Sequence, residues 1–360
     1  MIKILNQYPF GQDVTDISPF GNGNINKTYL ISTNSNKKYI LQEINSKVFK
    51  KPKEVMRNIE LVTEHIRNIH RKNSIESDQA VLEILYTNDN QSYVKLDDRY
   101  WRAYNFVENA ITYETTDDPE IFKQVGIAVG AFQKFLNDFD SDRLAITIPD
   151  FHNTPKRFSS LSKVVDEDNY DRVMKVFKEI QFINSRKNKL SIIVQALEKK
   201  EIPLRVTHND TKLNNVMIDK TTNKAVCIID LDTVMPGSVL YDFGDAIRVG
   251  ANNAKEDESD LSKVRLNMSL FESFVDGFLE ETHNILNQKE IDLLVDSVWL
   301  ITMEISIRFL TDYLDNDQYF RTDYPEHNLV RTKAQLKLVN EIERYYEQMK
   351  NYIKNKVSKM

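Results

Sequence analysis

Residues 206–219 read VTHNDTKLNNVMID: a histidine, an aspartate two positions later and an asparagine five positions beyond that, set between two short β-like runs. A stretch this polar, bounded by strands, adds little to a core; it is where a scaffold presents functional groups. The Asp210 carboxylate and the Asn215 amide offer hard oxygens, suited to orienting a hydroxyl and to holding a small divalent cation. Twenty residues past Asp210 the apolar run VCIIDLD, 226–232, ends in Asp230 and Asp232, so more carboxylates arrive where another strand stops. Asx residues also cap ordinary turns and end strands in water. Any one of these residues permits that bland reading; their joint spacing, with strands on both sides, argues for a site.

Upstream, from 20 to 107, the chain reads β-rich with one helix. KTYLIST (27–33) and KYILQEI (38–44) are strand-like runs joined by the polar NSNK, a hairpin. KPKEVMRNIELVTEHIRNIHR, 51–71, repeats apolar residues at Val55, Ile59, Val62 and Ile66, the spacing of an amphipathic helix. Strand candidates follow at AVLEILYT (80–87), QSYVKLD (91–97) and YWRAYNFV (100–107). Past the polar ENAITYETTDD the pattern turns helical, opening with Pro119 placed like a first-turn proline. Further helices are expected at roughly 164–198, 260–285, 289–314 and 328–354, around a β island at 204–232. The sequence predicts an α+β, bilobal, protein-kinase-like fold. Residues 1–107 form a β-rich nucleotide-binding lobe with a glycine-containing hairpin, a connector lies near 105–109, and 108–360 form a helical lobe with the catalytic loop and acceptor site.

In that layout His208, Asp210, Asn215 and Asp230 have the spacing of a kinase catalytic loop followed by its metal-binding aspartate. Phosphoryl transfer asks a protein for positioning and charge stabilisation. Asp210 is then the base, Asn215 and Asp230 hold Mg²⁺, and His208 braces the loop; Asp232 is a further carboxylate behind that cation or for a second one. Asp242-Phe243-Gly244 looks like the kinase metal-binding triplet but follows the turn MPGS, 32 residues beyond Asp210. Asp242 reads instead as an anchor for the catalytic loop or an exposed helix cap.

Gly21, Gly23 and Asn24 read as a hairpin covering the phosphates of ATP, where glycine lets backbone N–H groups approach closely. GNGNINKT, 21–28, misses a Walker loop because Asn26 replaces its second glycine and a strand, not a helix, follows. KYILQEI carries Gln42 where a kinase places its phosphate-contacting lysine. Gln42 or Lys38 then serves there, with a helix partner among Glu54, Glu60 and Glu64. Backbone groups at Tyr104, Phe106 and Val107 would take the adenine edge.

Composition narrows the rest. A 360-residue chain with 41% hydrophobic and 28% charged residues is ordinary globular material long enough for two lobes. No apolar run approaches the roughly 20 residues of a membrane helix, and the N-terminus has no secretory h-region. The net charge of −6 argues against broad nucleic-acid or anionic-membrane binding. A single cysteine, Cys227, precludes an intrachain disulfide and fits a reducing cytoplasm. Cys227 reads as a small core residue, and His65 and His70 as solvated side chains on a charged helix without zinc partners. Nothing in the sequence fixes an oligomeric state.

These residues resemble the aminoglycoside phosphotransferase and choline kinase superfamily of small-molecule kinases. Its pattern is His-x-Asp, four residues, Asn, a strand ending Ile-Asp, then an Asp-Phe-Gly-Asp-like segment. Here it is met by His208, Asp210, Asn215, Ile229-Asp230 and YDFGD at 241–245, and the likeness spans the chain in layout. Within the superfamily, GNGNINKTYL, YILQEIN, WRAYNFVEN, HNDTKLNNVMID and IRFLTDYLDNDQYF look most like the N-acetylhexosamine 1-kinases. The resemblance implies ATP- and Mg²⁺-dependent phosphorylation of the anomeric hydroxyl of N-acetylglucosamine or N-acetylgalactosamine, with Arg308, Asp312 and Tyr319 approaching the sugar. From sequence alone, Arg308 lies four residues after Glu304 on an apolar helix, a spacing that equally permits an intrahelical ion pair. The alternatives are another acceptor, such as choline, homoserine, methylthioribose or an aminoglycoside, with the acidic TDYLDND (311–317) receiving a cation, and a catalytically silent binding module.

Overall fold

The computed structural model describes residues 1–21, 25–73 and 81–360. Gly23 and Asn24 of the expected hairpin, and Ala80 of the third expected strand, lie outside the described residues. A short helix, α1 (Ile2–Leu5), precedes β1 (Val14–Pro19), β2 (Lys27–Thr33) and β3 (Lys38–Ile44); helix α2 (Pro52–Lys72) leads to β4 (Ile84–Leu85), β5 (Val94–Leu96) and β6 (Arg99–Asn105). They make one antiparallel sheet in the order β1-β2-β3-β6-β4, with β5 also on β6. Alternation sorts its faces. Ile31, Leu41 and Ala103 are fully buried with α1 residues Ile4 and Leu5, whereas Gln42 and its register partner Arg102 turn toward α2. Asn58 of α2 donates to Ala145 O (2.8 Å) and Val234 O (2.9 Å), tying this lobe to the helical one.

The connector expected at 105–109 runs from β6 to β7 (Ala110–Ile111), which pairs with β9 (Val216–Asp219) in a second sheet completed by β10 (Ala225–Ile228). Between β7 and β9 come α3 (Pro119–Phe135), α4 (Thr154–Glu167), α5 (Phe177–Asn184), α6 (Ile192–Glu198) and β8 (Arg205–Thr207). After β10 follow β11 (Met235–Gly237), α7 (Val239–Gly250), α8 (Met268–Thr282), α9 (Gln288–Leu314) and α10 (His327–Val357). Among the described residues no helix is long and apolar enough to cross a membrane.

Three expectations give way. The helix expected at 164–198 is broken into α4, α5, α6 and 3₁₀ turns, because Asp168 (φ 37°) and Asp171 (φ 53°) take left-handed backbone and the Asp168 carboxylate caps the N–H groups of Arg172 and Val173. The MPGS stretch, expected as a turn, forms β11, antiparallel to β8; proline is tolerated because this ladder has only two strands. His70 is buried, not solvated: it continues the Val62–Ile66 stripe and packs its ring edge-on against Phe135 at 4.7 Å, and burial lowers its pKa. Cys227 is buried in β10 as expected, its thiol pushed up to about 12 by burial.

Candidate active site

The β8–β11 ladder holds the loop from His208 to Asn215. Gly237 is required there, since a Cβ would meet Thr207 Oγ1 at 2.3 Å. Asn209 adopts left-handed backbone (φ 65°), which asparagine tolerates, and its amide donates to Thr233 O at 2.8 Å. Asp242 is fully buried inside α7, so it is not an exposed cap. Its carboxylate accepts from His208 N–H (2.9 Å), Asn209 N–H (2.7 Å) and Gln133 Nε2 (2.7 Å), fixing the loop from beneath. His208 Nδ1 accepts from Asp210 N–H (3.3 Å) while Nε2 donates to Ile229 O (3.0 Å). With Ile229 N–H bonded to Asn215 O at 2.8 Å, the ring ties the loop to the segment that carries Asp230.

Asp210 and Asp230 therefore lie together, in different surroundings. Burial pulls Asp210 upward, but the Lys212 ammonium, the His208 ring and hydrogen bonds from Lys212 (3.2 Å) and Asn215 Nδ2 (3.1 Å) outweigh it and hold the carboxyl below its usual range. Lys212, raised in turn by Asp210, is a functional candidate the sequence reading missed, although its place two residues after the aspartate could have flagged it. Enclosure within the cleft, and then the charges of Asp232 and Asp210, push Asp230 up to about 6, although the residue keeps contact with solvent. Asp230 sits at φ 62°, a strained setting for a non-glycine residue, and its carboxylate has no hydrogen bond or ion pair among the described residues. Asn215 spends its N–H donors on Asp210, leaving Oδ1 as an open acceptor.

The Asp230 carboxylate and the Asn215 amide oxygen are hard donors that suit Mg²⁺, which usually takes one or two protein carboxylates and completes its shell with phosphate and water. Among the described residues no three His, Cys, Asp or Glu side chains form a ready-made metal centre. Asp232 is an unsuitable third ligand: one oxygen pairs with Arg102 Nη1 and the other accepts from Asn26 Nδ2 at 2.6 Å.

A buried cation lies close to the place expected for the strand lysine. Arg102, 1% exposed, donates Nε (3.0 Å) and Nη2 (2.9 Å) to Gln42 Oε1 and pairs with Asp232. The buried cation is one strand over from the expected position, and Gln42 is its holder. No helix glutamate meets it: Met56 is the α2 residue at Arg102, and Glu54 pairs with Lys51 in solvent. Lys38 lies instead over the Phe106 ring at 5.6 Å, beside Phe20, whose ring is edge-on to Phe106 at 5.9 Å. Gly21 takes φ 75°, where any side chain would be strained. Tyr104 is buried under Arg102, and Phe106 N–H is bonded to Lys38 O at 3.3 Å. Val107 N–H and C=O have no hydrogen-bond partner among the described residues.

At the other end of the cleft, Glu304 does not pair with Arg308. Burial pulls Glu304 upward, but His152 Nδ1 (2.8 Å), Thr154 Oγ1 (2.6 Å) and the Arg308 charge hold it below the usual range. The Arg308 guanidinium lies 5.3 to 5.8 Å from the rings of Phe151, Phe320 and Tyr319. Asp312 departs from its expected place at the sugar. It is buried, with Oδ1 accepting from Gln318 and Tyr319 N–H and Oδ2 from Phe320 N–H and Asn328 Nδ2, so all its lone pairs anchor the loop that presents Tyr319. Tyr319 is 62% exposed.

Residues 16–266 match the family model described as APH, phosphotransferase enzyme family. The chain belongs to this family. Similar solved structures include a microcompartment-associated aminopropanol kinase, 15% identical over 97% of each chain with a TM-score of 0.59. An aminoglycoside phosphotransferase from Alicyclobacillus acidocaldarius is 11% identical over 96% of each chain, with a TM-score of 0.60. An ethanolamine kinase from Plasmodium vivax is 13% identical over 90% of this chain and 83% of its own, with a TM-score of 0.56. At such identities the likeness speaks for the kinase-like fold alone. Arg308, Asp312 and Tyr319 lie beyond the matched residues of this phosphotransferase.

Proposed function

We propose that the protein transfers the γ-phosphoryl group of ATP, in the presence of Mg²⁺, to the anomeric C1 hydroxyl of an N-acetylhexosamine. The observation that supports phosphotransfer is the contrast between two neighbouring carboxylates. Asp210 is held ionised within a donor network, whereas Asp230 is raised and unpartnered. Paired groups pushed apart in this way mark distinct roles. Asp210 accepts the hydrogen bond of the acceptor hydroxyl and takes its proton as the oxygen bonds to phosphorus; the bond from phosphorus to the bridging oxygen breaks and ADP leaves. Lys212 offsets negative charge beside that centre. Bound Mg²⁺ neutralises phosphate charge, and Asp230 with Asn215 Oδ1 are the donors fit to hold it. The open backbone groups of Val107 suit an adenine edge, and Gly21 suits close approach of backbone to phosphate.

The sugar assignment rests on the resemblance of the IRFLTDYLDNDQYF segment and on Arg308 among aromatic rings, a setting that leaves in-plane N–H donors for hydroxyl or amide oxygens. A cationic acceptor finds less support, because two of the three acids of TDYLDND are occupied and only Asp315 stands open at the surface. Asp312 anchors its loop, and Asp317 pairs with Arg172 (3.0 Å) and accepts from Asn328 (2.9 Å). The silent-module reading rested on the missing strand lysine, and Arg102 supplies a buried cation beside that position. ADP release with ATP and Mg²⁺ across N-acetylglucosamine, N-acetylgalactosamine, glucose, galactose, choline, homoserine, methylthioribose and kanamycin tests the proposal. N-acetylhexosamines should lead by a wide margin; a lead by choline or kanamycin would overturn the sugar assignment.

A further inference from the structure

The acceptor end of the cleft holds two arginines from packed helices, Arg157 on α4 and Arg308 on α9. They share Phe151, whose carbonyl accepts from Arg157 Nη2 at 3.0 Å and whose ring lies 5.3 Å from the Arg308 guanidinium. Neither arginine forms an ion pair among the described residues. The acids near enough to neutralise them are engaged elsewhere: Glu304 by His152 and Thr154, Asp150 by Lys156 at 2.8 Å, and Asp312 by its loop. Arg157 Nε is buried with no hydrogen-bond partner among the described residues. Burial, and then the Arg308 charge, pull the Arg157 pKa below its ordinary value. Glu304 and Asp150 act on these guanidiniums only at a distance, so neither arginine is tied up by a direct carboxylate contact among the described residues. Arg308 lies within 5.3 to 5.8 Å of three aromatic rings and donates no hydrogen bond among the described residues, so its N–H donors are uncommitted. This cluster abuts the catalytic loop, since the His152 ring packs at 4.7 Å from Phe151 and its Nε2 lies 3.4 Å from the carbonyl of Asn209, the neighbour of Asp210.

We propose that Arg157 is a second specificity-determining guanidinium of the acceptor pocket, and that with Arg308 it selects acceptors whose far end is oxygen-rich and neutral or anionic, while rejecting amines. The proposal rests on the phosphotransfer reading above. It is tested by steady-state kinetics on N-acetylglucosamine, glucuronic acid and glucosamine near pH 6.5, where the last is cationic. Wild type should prefer both the amide and the carboxylate sugar to the amine by about 30-fold or more in kcat/KM, a gap typical of a site built around specific polar contacts. Arg157→Gln should raise the acceptor KM about tenfold, leave the ATP KM unchanged and narrow the amide-to-amine gap, with Arg157→Lys recovering part of that gap. Wild type using glucosamine as well as N-acetylglucosamine overturns the proposal. So does an Arg157→Gln enzyme that unfolds at lower temperature yet keeps wild-type acceptor KM and selectivity, the mark of a purely structural residue. A wild-type protein that binds ATP but phosphorylates none of the three sugars overturns the sugar reading itself, and this inference with it.

Discussion

Asp210 and Asp230 show how position alone gives one residue type two tasks. Asp210 stays ionised because Lys212, His208 and Asn215 surround it, whereas Asp230 is raised from 3.8 to about 6 by enclosure and two neighbouring carboxylates. A cation needs Asp230 deprotonated, so protons compete with it. Mg²⁺ affinity is expected to fall about tenfold per unit as pH drops below about 6 and to level off above it; an affinity flat from pH 5 to 7.5, measured by calorimetry, would contradict the assignment. The sign for stability is opposite. In the cation-free protein the fold keeps a proton on Asp230 that the unfolded chain has lost between about pH 4 and 6, so this group's contribution declines as pH rises through that window. Asp210, Asn215 and Asp230 were legible in the sequence because their spacing is local. Arg102, Asp232 and Asn26 were not read as a unit, since the contacts joining them span 130 and 206 residues. Asp312 was placed at the sugar on the strength of the resemblance alone, and its four hydrogen-bond partners, from later turns of chain, had no trace in its local sequence.

At the scale of elements, the site hangs on α3, whose Gln133 supports Asp242 and whose glycines set its distance from α8. A Cβ at Gly126 would meet Phe274 O at 2.3 Å, and one at Gly277 would meet Lys123 O at 2.2 Å. Gly126→Ala must therefore push the two helices apart, and is expected to cost about 1–3 kcal/mol, the range for overpacking. A urea midpoint equal to wild type would show that these helices are not held at contact. Elements with strong periodicity were readable: β2 and β3 coincide with KTYLIST and KYILQEI, and α9 with the helix expected at 289–314. The failures were at Asx residues and prolines, where side-chain caps and two-stranded pairing decide the backbone and neither leaves a periodic trace. The breaks after Asp168 and strand β11 are both of this kind.

Across the whole molecule, the Arg102–Asp232 pair joins the sheet lobe to the helical lobe, and Asn26 adds the start of β2 to the same carboxylate. Both charges are almost wholly buried. Removing one partner leaves the other uncompensated, so Arg102→Met should destabilise the fold by about 3–5 kcal/mol, and Arg102→Met with Asp232→Leu should recover much of that loss. Equal destabilisation by the single and double variants would contradict the coupling. The bilobal plan itself was readable from the order of β-rich and helical segments, because each segment's periodicity reports the face it buries; how the lobes are fastened was not, because that depends on single long-range pairs. The central claim is phosphoryl transfer at Asp210. It is tested most directly by following label from γ-³²P-ATP into N-acetylglucosamine with wild type and Asp210→Asn. The account predicts labelled sugar 1-phosphate from wild type and, with nucleotide binding retained, a rate lower by about 10²–10⁴-fold in the variant. Label appearing in the sugar at equal rates from both proteins would contradict it.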